Sequence, residues 1–141
     1  MQMKKSFLLI IFFILLDQLS KYIVRSSGGF YICNKGVAFG INIPYFVIWS
    51  VALVLFFYLI YLISNSKFQI SNEFSNSKFL NIGVVFILAG GISNIIDRLF
   101  FGCVIDFINL KFWPIFNLAD TFIVLGVIIV ILQSLIKNNN Q

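Results

Sequence analysis

Phe79 to Arg98 reads FLNIGVVFILAGGISNIIDR, an apolar run that ends in an amide, a carboxylate and a guanidinium. A helix needs about 20 apolar residues to cross the hydrocarbon core of a bilayer. The run therefore predicts a membrane-spanning helix over about residues 79–96, with polar residues at one end. Small residues allow a neighbouring helix to approach closely, and the run contains Gly83, Gly90 and Gly91.

The composition of the whole chain also favours a membrane location. Of the 141 residues, 60% are hydrophobic and 11% are charged, which is more apolar surface than a soluble domain of this size buries. Further apolar runs predict helices over about residues 6–24, 45–63 and 118–136. We expect an all-α membrane protein: a four-transmembrane-helix bundle with a small extracytoplasmic loop/β element, formed by a single domain over residues 1–141. We expect the N-terminal apolar run to be retained, because no small-residue cleavage site follows it.

Residue types that are missing or scattered exclude several classes of chemistry. The chain has no histidine, which excludes Ser-His and Cys-His nucleophile pairs and histidine-based metal sites. Cys33 and Cys103 are far apart in sequence, so no redox or zinc motif is indicated. The net charge is +5, but the basic residues form no patch, which favours attraction to anionic lipid over nucleic-acid binding.

Polar residues fall at one end of the predicted bundle. Consecutive spans alternate in direction, so the end of the first helix, the end of the third and the start of the fourth share one membrane surface. The residues that meet there are Asp17, Lys21, residues 34–40, Asn94 to Arg98, Asn117 and Asp120. This segregation predicts an active site at one surface. Basic residues number five on each side, so the positive-inside rule does not choose the orientation.

Each polar segment has a structural alternative. Asp17 and Lys21 are four residues apart and can pair on one helix face, or Lys21 can extend to the interface. An ionisable residue within a span is costly, which favours function. The segment 34–40 is also compatible with an ordinary turn. Asn94 needs a hydrogen-bonding partner in lipid, whereas Asp97 and Arg98 are also compatible with an interfacial charge pair.

Asp106 and Asp120 are flanked by apolar residues and have no adjacent cation. Two carboxylates held together in a poorly hydrated site do not both ionise readily, so one keeps a proton while the other acts as a base. An aspartic peptidase requires this arrangement. Interfacial carboxylates that cap helices are the alternative.

Five segments in this order, between the predicted spans, resemble the lipoprotein signal peptidase (signal peptidase II) family. They are Asp-x-x-Ser-Lys at 17–21, Asn-x-Gly-x-Ala-Phe at 34–39, Gly-Gly-x-Ser-Asn-x-x-Asp-Arg at 90–98, Val-x-Asp-Phe at 104–107 and Phe-Asn-x-Ala-Asp at 116–120. Two connections are short for the family, one between Lys21 and Asn34 and the other between Asp106 and Asp120. Ser93 stands where many members have glycine.

The resemblance implies that Asp106 and Asp120 are the catalytic dyad of an aspartic endopeptidase. It implies supporting or substrate-binding roles for Asp17, Lys21, Asn34, Gly36, Asn94, Asp97, Arg98 and Asn117. The implied substrate is a bacterial prolipoprotein, cut just before its diacylglyceryl-modified cysteine. We expect a monomeric, multi-pass protein of the bacterial cytoplasmic membrane whose partners are lipidated precursors and membrane lipid, without cofactor, metal or nucleic acid. Its termini would be cytoplasmic and its site extracytoplasmic.

Two other functions are compatible with parts of the sequence. A small proton-coupled transporter or channel also uses intramembrane carboxylates and lysines, but a relay needs polar residues across the whole bilayer and the predicted second helix is uncharged. A Ser/Lys peptidase would use Lys21, but the adjacent Ser20 points elsewhere on a helix.

Overall fold

The computed structural model describes residues 2–36 and 76–138. These residues form three helices and two short strands in the order α1 (Gln2–Ser26), β1 (Ile32–Asn34), α2 (Asn76–Phe101), β2 (Val104–Asp106) and α3 (Leu118–Asn138). The helices predicted over 6–24, 79–96 and 118–136 are therefore present, each somewhat longer than predicted. The helix predicted over 45–63 lies outside the described residues.

The described helices expose apolar side chains and bury polar ones. Lys5–Ser26 in α1 and Ile82–Phe101 in α2 are long and apolar enough to span a membrane, and Leu118–Gln133 in α3 is a shorter apolar stretch. Large apolar side chains lie exposed along α1 and α3, whereas the fully buried side chains are mostly polar or charged. A water-soluble domain places these groups the other way round. The pattern fits lipid as the surrounding solvent.

Small residues bring α2 and α3 into close contact. A β-carbon added at Gly90 would collide with the carbonyl oxygen of Ala119, and one added at Gly126 would lie 2.6 Å from the carbonyl oxygen of Gly83. Backbone-to-backbone contact of this kind needs glycine, as expected for helices packed without a hydrophobic driving force between them. Beside Gly91, predicted to share this role, no atom of residues 2–36 or 76–138 lies within 4 Å of an added β-carbon.

An aromatic cluster joins all three described helices. The ring centroid of Phe13 in α1 lies 4.8 Å from that of Phe86 in α2 and 5.1 Å from that of Phe122 in α3. The rings of Phe86 and Phe122 are stacked at 5.8 Å. Such pairs add to the free energy gained from burying apolar area. The cluster fixes the spacing of the helices that carry the polar residues.

The α2 helix ends beyond the predicted boundary. It continues through Asp97 and Arg98 to Phe101, and Gly102 follows with φ of 70° and its amide bonded to the carbonyl of Arg98. Glycine in this left-handed conformation is a common helix terminator. The predicted stop near residue 96 was wrong because charged residues do not end a helix, whereas Gly102 does.

The strands connect the ends of the helices. β1 and β2 are antiparallel and pair Ile32 with Asp106, Cys33 with Ile105 and Asn34 with Val104. A disulfide joins Cys33 to Cys103 across 70 residues of sequence. No redox or zinc motif predicted this bond, since it depends on the tertiary fold. The ladder places Asn34 close to Asp106, which belongs to the candidate site.

Candidate active site

A group of three buried charged side chains, here called the charge cluster, consists of Asp17, Lys21 and Asp97. The Lys21 Nζ atom lies 2.6 Å from Asp17 Oδ2, one helical turn earlier, and 2.8 Å from Asp97 Oδ2 in α2. It also donates to Asn94 Oδ1 at 3.1 Å. An ammonium group has three donors, and each has a partner here. The predicted Asp17–Lys21 pair is confirmed.

The two carboxylates of the charge cluster are satisfied by groups from three other elements. Asp17 Oδ1 accepts the amide of Ala119 in the first turn of α3 at 2.9 Å, and Ser93 Oγ donates to Asp17 Oδ2 at 2.7 Å. Asp97 Oδ2 accepts the amide of Ile105 in β2 at 3.1 Å. A negative charge beside the first turn of a helix is also favoured by the helix dipole. The cluster therefore ties α1, α2, β2 and α3 together.

Gln18 is a member of this region that the sequence did not identify. Its Nε2 atom donates to Asp97 Oδ1 at 2.8 Å and to Ser93 Oγ at 2.9 Å. The available signal was an amide directly after a buried aspartate in an apolar run. Ser93, the departure from the glycine of many relatives, uses its hydroxyl to bridge Gln18 and Asp17.

The adjacent residues Asp97 and Arg98 contact different elements of the fold. Successive residues on a helix point about 100° apart. Asp97 turns inward to Lys21, while Arg98 donates to the carbonyl of Asn94 at 3.3 Å and of Gly36 at 3.0 Å. Arg98 therefore connects α2 to the segment after β1.

Two asparagines connect the charge cluster to Asp106 and Asp120, here called the carboxylate pair. Asn94 Nδ2 donates to Asp120 Oδ1 at 2.8 Å. Asn117 Nδ2 donates to Asp106 Oδ1 at 2.7 Å and to Asn94 Oδ1 at 3.2 Å. The buried amide of Asn94 thus has the partners that its place in a span requires. Each carboxylate is held by a neutral amide, and the two amides contact each other.

Asn34 approaches Asp106 from β1. Its Nδ2 atom donates to Asp106 Oδ2 at 2.9 Å, while its Oδ1 atom accepts the amide of Gly36 at 2.9 Å. This second bond is an Asx-type turn, in which an asparagine side chain orients the backbone two residues later. Asn34 and Gly36 are therefore both at the site as predicted, whereas residues 37–40 of the same motif lie outside the described residues.

Asp120 also belongs to a capping box at the start of α3. The Asp120 amide donates to Asn117 Oδ1 at 2.9 Å, and the Asn117 amide donates to Asp120 Oδ2 at 3.3 Å. This reciprocal arrangement satisfies donors that the first turn of a helix leaves free. The capping alternative for Asp120 is thus correct as local structure, and it leaves the carboxylate facing Asn94.

The carboxylate pair has an unusual electrostatic setting. The pKa of Asp106 is raised from its ordinary value of 3.8 to about 6. Burial is the largest cause and the nearby charge of Asp120 also raises the pKa, whereas the bonds from Asn34 and Asn117 and the charge of Lys21 lower it. Asp106 is 1% exposed, which agrees with a dominant desolvation effect. A carboxyl group in this setting exchanges its proton at mildly acidic to neutral pH.

All ten residues predicted for the site are found in one connected network. They are Asp17, Lys21, Asn34, Gly36, Asn94, Asp97, Arg98, Asp106, Asn117 and Asp120. Over residues 2–36 and 76–138, no group of three His, Cys, Asp or Glu side chains is arranged to hold a metal ion. The carboxylate pair is thus surrounded by three asparagines and is connected through Asn94 to the ion-paired ammonium group of Lys21.

Comparison with known proteins agrees with this arrangement. The family described as signal peptidase (SPase) II matches residues 9–136. The lipoprotein signal peptidase of Moorella thermoacetica is 35% identical over 150 residues, covering 96% of each chain. That of Halothermothrix orenii is 31% identical and covers 89% of this chain and 92% of its own. These matches favour the peptidase interpretation over the transporter alternative.

A solved structure of a bacterial membrane enzyme has the same fold. It superimposes with a TM-score of 0.79 and 25% sequence identity, over 98% of this chain and 92% of the other. The match supports a membrane location, as the apolar helices do. From the family match over residues 9–136 and relatives above 30% identity along most of their length, the chain belongs to the signal peptidase II family of lipoprotein signal peptidases.

Proposed function

We propose that this protein is a membrane aspartic endopeptidase that removes the signal peptide from diacylglyceryl-modified bacterial prolipoproteins, cutting before the lipidated cysteine. The observation that carries the proposal is the carboxylate pair: Asp106 and Asp120 are linked through Asn94 and Asn117 at one end of the bundle. The lipoprotein signal peptidases to which the chain is similar supply the substrate class.

In this proposal Asp106 and Asp120 share one proton. The ionised member removes a proton from a water molecule, which attacks the scissile carbonyl. The protonated member polarises the carbonyl oxygen and then donates its proton to the leaving amine. The raised pKa of Asp106 supports this division, since a carboxyl group that keeps its proton to about pH 6 is available as an acid.

The asparagines hold the catalytic dyad without neutralising it. Asn34, Asn94 and Asn117 donate to carboxylate oxygens, and an amide cannot exchange a proton with a carboxylate near neutral pH. Lys21 acts one contact further away, because its ammonium group orients the oxygen of Asn94. The side chains of Asp17, Asp97 and Arg98 keep the supporting helices and the Gly36 segment in place.

The orientation in the membrane is part of the proposal: four spans in one domain over residues 1–141, both termini cytoplasmic and the site extracytoplasmic. The disulfide between Cys33 and Cys103 lies beside the site, and structural disulfides form mainly outside the cytoplasm. Exposed Phe112 and Trp113 lie on the connection between Asp106 and Asp120, and aromatic side chains are enriched at membrane surfaces.

Reporter fusions test this orientation. A reporter at Gln141 and another within residues 71–77 are expected to give cytoplasmic signals. An extracytoplasmic signal from both would reverse the orientation.

Cleavage of matched precursors tests the function. The purified protein, acting as a monomer and without added metal or cofactor, is expected to cut a lipidated precursor and to leave the same unlipidated precursor intact. A chelator should not change the rate. Asp106→Asn protein prepared in parallel controls for contaminating proteases. Equal cleavage of both precursors would contradict the substrate class, and cleavage of neither would contradict the peptidase activity.

A further inference from the structure

The β1 strand brings Asn34 to the dyad, and within residues 2–36 and 76–138 three connections at β1 stand out. Its ladder with β2 contains three residue pairs, and an isolated two-stranded ladder is marginally stable in water. Just after β1, Arg98 Nη2 bonds to the carbonyl of Gly36 at 3.0 Å. The covalent connection is the Cys33–Cys103 disulfide.

The disulfide lies where it controls the position of Asn34. Cys33 directly precedes Asn34 in β1, and Cys103 directly precedes β2, which ends at Asp106. The two cysteine Cα atoms are 5.4 Å apart. Cys103 directly precedes Val104, the ladder partner of Asn34, so the disulfide lies at the end of the ladder that contains Asn34. Asp106 lies at the other end, opposite Ile32.

We propose that the Cys33–Cys103 disulfide is a positioning element of the active site, which holds β1 against β2 so that the Asn34 amide remains bonded to Asp106. The inference rests on the proposed catalytic role of Asp106. It assigns both cysteines of the chain a function through Asn34 rather than through contact with substrate.

The bond is open to chemical control from the surface. Cys33 is exposed, whereas Cys103 is 2% exposed. A dithiol such as dithiothreitol reduces the bond by thiol–disulfide exchange. One reductant thiolate attacks a sulfur and displaces the other cysteine as a thiolate, and the second reductant thiol then releases the first cysteine. Two cysteine thiols form while the dithiol becomes a cyclic disulfide, so electrons and protons balance.

Loss of the bond from Asn34 to Asp106 should change the pKa of Asp106 as well as the stability of the protein. The bond lowers the pKa of Asp106, so its loss moves that pKa upward from about 6. Other charged groups near Asp106 come from other elements: Asp120 from α3, Lys21 from α1, and Asp97 and Arg98 from α2. None of them belongs to β1, so these charges stay in place when β1 shifts. A shift of β1 that breaks the Asn34 bond while Asp106 stays buried therefore moves the pKa of Asp106 upward.

The test compares oxidised and reduced wild-type protein, the double variant Cys33→Ser/Cys103→Ser and Asn34→Ala. The pH dependence of kcat/KM on a lipidated precursor is measured for each. Reduction and the double serine variant should each lower kcat/KM by roughly tenfold and move the limb of the pH profile near pH 6 to higher pH, as Asn34→Ala does. Reductant should not affect the double serine variant, and it should not move the limb further in Asn34→Ala.

The outcomes separate this inference from the proposed function. Oxidised wild-type protein that cleaves, with rate and limb unchanged after verified reduction, would overturn the positioning role alone. A fall in rate without movement of the limb would overturn it too, because that result indicates general loosening. Oxidised wild-type protein that does not cleave would overturn the proposed function and, with it, the inference. Reduction of folded wild-type protein gives the result even where the serine variant folds poorly.

Discussion

The charge cluster and the carboxylate pair are neighbouring sets of buried aspartates with different partners. Asp17 and Asp97 each contact the ammonium group of Lys21 within 2.8 Å. Asp106 and Asp120 accept instead from the neutral amides of asparagines. In the charge cluster two carboxylates share one cation by direct ion pairing. The carboxylate pair has no directly paired cation, so its charge can change by gain or loss of a proton.

This difference in partners implies a structural role for the charge cluster and a catalytic role for the carboxylate pair. Ion pairs in a region of low dielectric constant are costly to break, because the partner that remains is a buried uncompensated charge. Carboxylates held by amides are positioned equally well but can still gain or lose a proton. We therefore expect substitutions in the charge cluster to act on folding, and substitutions in the carboxylate pair to act on turnover.

The largest effect on stability is expected from Lys21→Met. The change leaves two buried carboxylates without their cation, which costs about 3–5 kcal/mol. Little folded protein should be recovered in thermal-unfolding and size-exclusion measurements. Lys5→Met makes the same chemical change at an exposed position of α1 and should behave as wild type. Normal recovery and stability of Lys21→Met would contradict a structural role for the cluster.

A smaller effect is expected from Asp97→Asn. Lys21 keeps its pair with Asp17, but the new amide opposes one of the donors from Gln18 and Ile105. An unsatisfied buried group of this kind costs about 1–3 kcal/mol. The melting temperature should fall, while the turnover of the folded fraction changes little. Unchanged stability together with a large loss of turnover would contradict a structural role for Asp97 and would indicate a role in catalysis.

The smallest effect concerns the stability of Asp106→Asn as a function of pH. The folded pKa of Asp106, about 6, lies above its ordinary 3.8, so ionisation opposes folding. The contribution of Asp106 to the free energy of unfolding is therefore fully present below about pH 4, and it is lost as the pH rises through about 6. Asn does not titrate, so Asp106→Asn should match wild type at pH 4 and exceed it at pH 7. A difference in melting temperature that is constant over this range would contradict the raised pKa.

Local patterns predicted the helices well, because the apolar runs and the length needed to cross a bilayer are both local properties. They failed at the end of α2, where Asp97 and Arg98 suggested a stop but the helix continues to Gly102. The β1–β2 ladder and its disulfide join segments 70 residues apart in sequence. Contacts at that distance depend on how the helices pack, which no local pattern contains.

The composition of the site was predicted more completely than its connections. Motif resemblance identified the polar residues, and the i,i+4 spacing gave the Asp17–Lys21 pair. Adjacency did not indicate Lys21 as a partner of Asp97, because that ion pair joins two different helices. Gln18 was missed, since its role appears only when Ser93 and Asp97 of α2 are placed beside it.

The most direct test of the account measures cleavage of a lipidated precursor by Asp106→Asn and Asp120→Asn, each shown to be folded by its melting temperature. Asn preserves shape but cannot take a proton from water or share one, so each change should lower kcat by about 10²–10⁴-fold. The double variant should be little worse than either single one, because the two groups act as a unit. A folded Asp106→Asn or Asp120→Asn protein that cleaves at near the wild-type rate would contradict the aspartic dyad.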